Sequence, residues 1–212
     1  MDDFVFRERR KLMAVIGAIL GDIAGSQFEF FRPDNLDYKH CELFTNYCSF
    51  TDDTVMTLAV KKAILEGVDF VKTMREIGQP YPHAGYGEKF YDWIYGENPK
   101  PYNSFGNGSA MRVSFVGEYF DTLEDVISWA EKSAEVTHNH PEGIKGAVVT
   151  AVCIWMAKHG KSKEEIFQYV LEQYPAEKYE YSIAVPLNEL ERIYRWNATC
   201  MGSVATAMRC FY

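Results

Sequence analysis

The sequence predicts an all-α fold, and three observations carry that prediction. Capping residues recur just ahead of apolar residues spaced three and four apart. Sustained period-two alternation is missing, apart from a possible short strand at Tyr179 to Val185. The composition is globular, 47% hydrophobic and 25% charged over 212 residues. A chain of this length buries roughly 70% of its unfolded surface, enough for a core without disulfide or metal staples. One domain spanning 1–212 is the expected organisation.

The elements follow in chain order. Arg7, Arg9, Arg10 and Lys11 precede nine apolar residues, Leu12 to Leu20, which imitates a signal peptide. Asp2, Asp3 and Glu8 dilute its basic segment, Asp22 follows the apolar run directly, and a bilayer span takes about 20 residues. The run is therefore read as a buried first helix. Thr51-Asp52-Asp53-Thr54, then Val55, Met56, Leu58, Ala59, Ala63 and Leu65, then Gly67, read as cap, apolar face and C-terminal stop. Residues 78–108 hold six of the 15 glycines and four of the eight prolines, and read as one long functional loop. Thr122 with Asp125 opens a helix, and Ser162 with Glu165 opens another. Between them Pro141 starts a helix with Ile144, Ala147, Val148, Ala151, Val152 and Trp155 on one face. Val149, Cys153 and Met156 make its other side apolar, so this helix is expected at the centre. Residues 175–191 read as an acidic, irregular surface connection.

The formal net charge is −8, from 22 basic and 30 acidic residues. That balance excludes a nucleic-acid or anionic-membrane surface, since both need clustered basic charge. The five cysteines are widely spaced without a C-x-x-C pair, which fits a reduced, cytoplasmic chain.

Four segments offer chemistry. The hydroxyls and carboxylates of Thr51 to Thr54 read by themselves first as a helix cap, and second as ligands for a hard divalent cation. Gly17, Gly21 and Gly25 share one helical face, which implies either a closely packed neighbour or a ligand at the backbone. Glu29 lies just beyond, either a surface acid or one placed to swing over a site. Gly106-Asn107-Gly108-Ser109 is either a plain turn or a run of amides that cradles phosphate, with Arg112 near it. Thr137-His138-Asn139-His140-Pro141 joins two helices, as a cap or beside a ligand.

Taken in order, G-x-x-x-G-D-x-x-G-x-x-x-E from Gly17 to Glu29, T-D-D-T-x-M from Thr51, G-N-G-S-A-M-R from Gly106 and T-H-x-H-P from Thr137 form a specific set. Together they resemble the ADP-ribosylglycohydrolase family. The resemblance implies an orthogonal multi-helix bundle with a dinuclear Mg²⁺ or Mn²⁺ centre. It also implies a hydrolase that cleaves the glycosidic bond between ADP-ribose and a protein side chain or small molecule. By that resemblance Thr51, Asp52 and Asp53 are metal ligands, with Asp52 and Asp53 catalytic beside Glu29, the mobile acid. Ser104, Phe105, Gly106, Asn107 and Gly108 form the loop around the diphosphate and distal ribose, and His138 lines the substrate pocket. The family's second ligand motif, of the form G-G-D-x-D-T, does not occur, and Cys200 to Tyr212 resembles the helix that precedes it. Three of six expected ligands are therefore present. The remainder is expected from a homo-oligomer, from a complementing C-terminal fragment, or from a longer chain of which this sequence is a C-terminally truncated piece. Otherwise the chain is a catalytically incomplete ADP-ribose-binding or interaction protein on the same scaffold.

Overall fold

A computed structural model describes residues 13–31, 36, 37 and 39–212. The basic segment and the start of the apolar run, residues 1–12, lie outside the described residues. The described residues form eleven helices and no strand, with one isolated antiparallel bridge between Gly106 and Thr199. No described helix is long and apolar enough to cross a membrane. The chain divides into two compact units, Met1–Pro99 and Lys100–Tyr212.

The first unit contains α1 (Met13–Ser26), α2 (Asp52–Glu66), α3 (Phe70–Gly78) and α4 (Glu88–Tyr95). Thr51 caps α2 by accepting the Asp53 amide, and Gly67 ends it at φ 63°, a left-handed conformation that costs glycine nothing. Asp69 caps α3 through the Lys72 amide. Helix α2 packs on α1 and α3, and α3 on α4. Val55, Met56, Ala59 and Val60 of α2 are buried, as are Met74 of α3 and Ile94 of α4. The Arg75 guanidinium closes the α4 end by donating to the carbonyls of Ile94 and Gly96.

The second unit is built around α8 (Pro141–Lys158), which touches α5 (Gly108–Met111), α6 (Ser114–Tyr119), α7 (Leu123–Glu135), α9 (Lys163–Gln173) and α11 (Cys200–Phe211). Its apolar sides explain that position: Ala147, Val149, Ala151, Val152 and Cys153 are all buried. Pro141 stands at its start with His140 as the cap, and Ser162 with Glu165 forms a reciprocal capping box on α9. The seventh helix of the unit, α10, spans Leu187–Ile193.

Five expectations are corrected. Helix α1 forms, but Val15 is its only buried residue among those described, and Ile16 and Leu20 are exposed. A Cβ placed at Gly17, Gly21 or Gly25 would meet no described atom within 4 Å, so no described residue packs closely on the glycine face. The 78–108 segment is not one loop, because α4 interrupts it. Residues 175–191 are not a plain surface connection: Tyr179, Tyr181 and Ile183 are buried and α10 begins at Leu187. The possible strand at Tyr179 to Val185 is instead turns, closed by the Val185 amide on the Ser182 carbonyl.

Candidate functional site

In the first unit the chemistry gathers where α1 meets the start of α2. Asp22, on α1, receives four donors from the α2 cap. Its Oδ2 accepts the amides of Thr51 at 2.8 Å and Thr54 at 3.2 Å, and the Thr54 hydroxyl at 2.5 Å. Its Oδ1 accepts the Thr51 hydroxyl at 2.6 Å. The Asp22 carboxylate thereby satisfies orphan donors at a helix start and locks the Thr51–Thr54 turn. Asp52 is held from the other side, its amide donating to the Ala84 carbonyl at 2.7 Å.

The next carboxylates are crowded. Burial, then the neighbouring Asp53 and Glu29, push Asp52 up to about 7. Burial, then Asp22, push Asp53 up to about 6, against the Thr51 hydroxyl that favours its charged form. Glu29 is raised as well, by burial and by Asp22. An acid cluster whose members disfavour one another's charge is one that a cation would relieve. Gly21, Asp22, Gly25, Ser26, Phe28, Glu29 and Asp53 line a cleft of about 420 Å³. Of the two roles open to the α1 glycines, exposing backbone to a ligand is the one this cleft supports. Among the described residues no three His, Cys, Asp or Glu side chains converge closely enough to enclose a metal ion. Thr51, Asp52 and Asp53 offer hydroxyl and carboxylate oxygens, donors of the kind that suits a hard cation.

In the second unit the 104–108 loop is fastened on both sides. The Asn107 amide donates to the Ala198 carbonyl at 2.7 Å, and the Cys200 amide to the Phe105 carbonyl at 2.9 Å. The Cys200 thiol donates to the Gly106 carbonyl at 3.0 Å. Asn103 enters the loop at φ 55°, a left-handed conformation that Asn tolerates, with its amide on the Asn139 side chain. Helix α8 lets the loop lie against it through Gly143, where a Cβ would stand 2.5 Å from the Ser104 carbonyl oxygen. The run of amides expected as a phosphate cradle is narrower than the letters imply. The Gly106 amide donates to Ser104 Oγ and the Asn107 amide to Ala198, so both are engaged within the fold. Phe105 is exposed and meets His140 edge-on, with ring centroids 5.3 Å apart.

His138 is buried beneath this loop. Its Nδ1 lies 2.7 Å from the Thr137 hydroxyl, and its Nε2 edge faces Gly108, where a Cβ would come within 3.1 Å. Burial, then the nearby Arg112 guanidinium, hold its pKa down to about 3.

The profile of the ADP-ribosylglycohydrolase family matches residues 5–210. The chain belongs to the ADP-ribosylglycohydrolase family. It is similar to ADP-ribosylhydrolase ARH3 of Mus musculus, 30% identical over 184 residues covering 71% of this chain and 50% of that protein. The Homo sapiens ARH3 is 30% identical over 186 residues with the same two coverages. The putative ADP-ribosyl glycohydrolase L543 of Acanthamoeba polyphaga mimivirus is 25% identical over 222 residues, 81% of this chain and 63% of that one. The chain spans about half the length of the ARH3 relatives it matches. In fold it is like a solved ADP-ribosylglycohydrolase-related protein complex, with a TM-score of 0.68 at 21% identity, over 97% of this chain and 76% of that one.

The ADP-ribosylglycohydrolase motifs fall into two groups in the structure. Glu29, Thr51, Asp52 and Asp53 gather in the first unit. Ser104, Phe105, Gly106, Asn107, Gly108 and His138 gather in the second. Sequence reasoning missed Asp22 as a site residue. The one signal in the letters is its place inside the first motif, directly after Gly21, with which it lines the cleft.

Proposed function

We propose that this chain acts in the metal-dependent hydrolysis of the glycosidic bond between ADP-ribose and an acceptor. The observation that carries the reading is one cleft shared by Glu29 and Asp53, beside a carboxylate pair whose charge is disfavoured by burial and mutual repulsion. Thr51, Asp52 and Asp53 would hold Mg²⁺ or Mn²⁺. A bound divalent ion of this kind orients hydroxyl groups and offsets developing charge. In the reaction, water attacks the anomeric carbon of the ribose. The bond to the acceptor nitrogen or oxygen breaks with its electron pair on that atom, and a proton returns to it. Glu29 would carry that proton: it lines the cleft outside the Thr51–Asp53 ligand set, and burial and Asp22 raise its pKa. The Ser104–Gly108 loop and His138 would bind the diphosphate and ribose.

Asp22 is the fixed member of the group. Its four donors hold Thr51 and the following aspartates in place, so that they receive a cation without rearranging. Widely spaced cysteines without a C-x-x-C pair suit a reducing compartment, and we assign the chain to the cytoplasm. The fastened 104–108 loop with His138 beneath it supports a second reading, an ADP-ribose binder that does not turn over.

The test is thermal melting with Mg²⁺ or Mn²⁺, paired with ADP-ribose release from an ADP-ribosylated peptide. A hydrolase gives a cation-dependent rise in melting temperature and release, both lost in the Asp52→Ala/Asp53→Ala double variant. ADP-ribose binding by calorimetry without release favours the second reading. A chain showing neither a cation shift nor ADP-ribose binding refutes both.

A further inference from the structure

Arg112 is fully buried at the end of α5, although arginine is among the residues least often enclosed. Burial lowers its pKa only to about 10, so it stays a cation at neutral pH. Its Nη2 donates to the Ser133 carbonyl at 2.6 Å and to the Thr137 hydroxyl oxygen at 2.9 Å. The Thr137 side chain is itself fully enclosed, and its hydroxyl has two polar neighbours, Arg112 Nη2 and His138 Nδ1.

The direction of each bond follows from that pair. A guanidinium has no acceptor, so the Arg112–Thr137 bond uses a lone pair of the hydroxyl. If His138 carried its proton on Nδ1, a second donor would point at the same oxygen, and the hydroxyl proton would be left enclosed with no acceptor. With the hydroxyl donating to Nδ1, both the hydroxyl proton and the Nδ1 lone pair are satisfied. That difference favours the Nε2–H tautomer by about tenfold or more. The cation behind Thr137 also disfavours a second proton on the ring.

We propose that Arg112 and Thr137 are positioning residues that fix His138 as a neutral Nε2–H donor to an acceptor oxygen of the bound ligand, and not as a base or a metal ligand. Nδ1 is engaged by Thr137, and Nε2 already holds a proton, so neither nitrogen has a lone pair to offer. The Nε2 edge is set against the loop, where a Cβ at Gly108 would come within 3.1 Å and one at Gly106 within 3.5 Å. Both positions are glycine, and the ring edge keeps its place beneath the loop. The donor half of the proposal rests on the reading of this loop as an ADP-ribose site, whereas the tautomer does not.

The test is long-range proton–nitrogen correlation NMR on chain labelled with ¹⁵N-histidine at neutral pH, with the His138 signals assigned by their absence in His138→Gln. The expected pattern is one neutral ring with the proton on Nε2 and a hydrogen-bonded Nδ1. A proton on Nδ1, or an imidazolium, overturns the relay. In Thr137→Val the Nδ1 resonance should move to that of an unbonded nitrogen, and affinity for ADP-ribose should fall about tenfold by calorimetry. Thr137→Ser should restore both. An Nδ1 resonance unmoved in Thr137→Val also overturns the relay, and if that variant does not fold, the wild-type tautomer decides. Adding ADP-ribose should shift the Nε2–H signal. Binding that leaves the signal in place overturns the donor role, whereas no binding at all counts against the ADP-ribose reading and leaves the tautomer assignment standing on its own spectrum.

Discussion

Asp52 and Asp53 are neighbours in sequence, and each is held above its ordinary pKa chiefly by burial. The sign of the consequence is fixed. A carboxyl that binds its proton more tightly in the folded state adds stability below the unfolded value, near 4, and that contribution is lost as pH rises through about 6 to 7. Without divalent cation the melting temperature should therefore fall between about pH 5 and pH 8. Mg²⁺ or Mn²⁺ should flatten the slope, and so should Asp52→Asn with Asp53→Asn, as read by calorimetry at several pH values. Glu29→Gln should keep ADP-ribose binding and lower turnover by at least about a hundredfold, the usual scale of a lost proton carrier. Asp22→Ala removes the acceptor of four donors and should cost about 2 kcal/mol of stability by urea denaturation. The Thr-Asp-Asp-Thr cluster was legible because hydroxyls and carboxylates at a helix start have few purposes. Asp22 was harder to see, since nothing in the letters of α1 says which neighbouring turn its carboxylate meets.

Among the elements, caps were the dependable guides. Thr51, Thr122, Pro141 and Ser162 each stand where a helix begins, because their side chains or ring satisfy the geometry of a first turn locally. Helix α4 was not legible: eight residues between Gly87 and Gly96 are too short to show a period amid so many breakers. The 175–191 segment misled for another reason. Its acids are exposed, but Tyr179 reaches back to α8, donating to Glu142 at 2.8 Å and meeting Lys145, partners far away in sequence. The two best-defined contacts of helix with loop give opposite magnitudes. Ser162→Ala should cost about 1 kcal/mol, the ordinary value of a lost cap. Gly143→Ala would drive a Cβ to 2.5 Å from the Ser104 carbonyl. It should therefore displace the 104–108 loop and weaken ADP-ribose binding more than Ser162→Ala does, with calorimetry comparing the two.

At the scale of the whole molecule, the order of four weak motifs along the chain identified the family, whereas the all-helical architecture was legible independently, from caps and apolar spacing. The apolar run at the N-terminus looked internal by composition, yet α1 contributes one buried residue among those described, because its glycine face borders a cleft. The five thiols sample the molecule differently. Cys210 is exposed, Cys41 and Cys48 are half-buried, and Cys153 and Cys200 are buried. Burial also pushes the thiols of Cys153 and Cys200 up, to about 12 and about 11. In a timed thiol-reagent assay Cys210 should react first, and Cys153 and Cys200 only on unfolding.

The Cys200 thiol does more than stay hidden. It donates to the carbonyl of Gly106, directly on the loop assigned to the diphosphate and ribose. An S–H bond absorbs infrared light in a window where proteins are otherwise nearly transparent, and its frequency falls as the bond it makes strengthens. The molecule therefore carries its own spectroscopic gauge: a shift in that one band on addition of ADP-ribose would register displacement of the loop without any label attached.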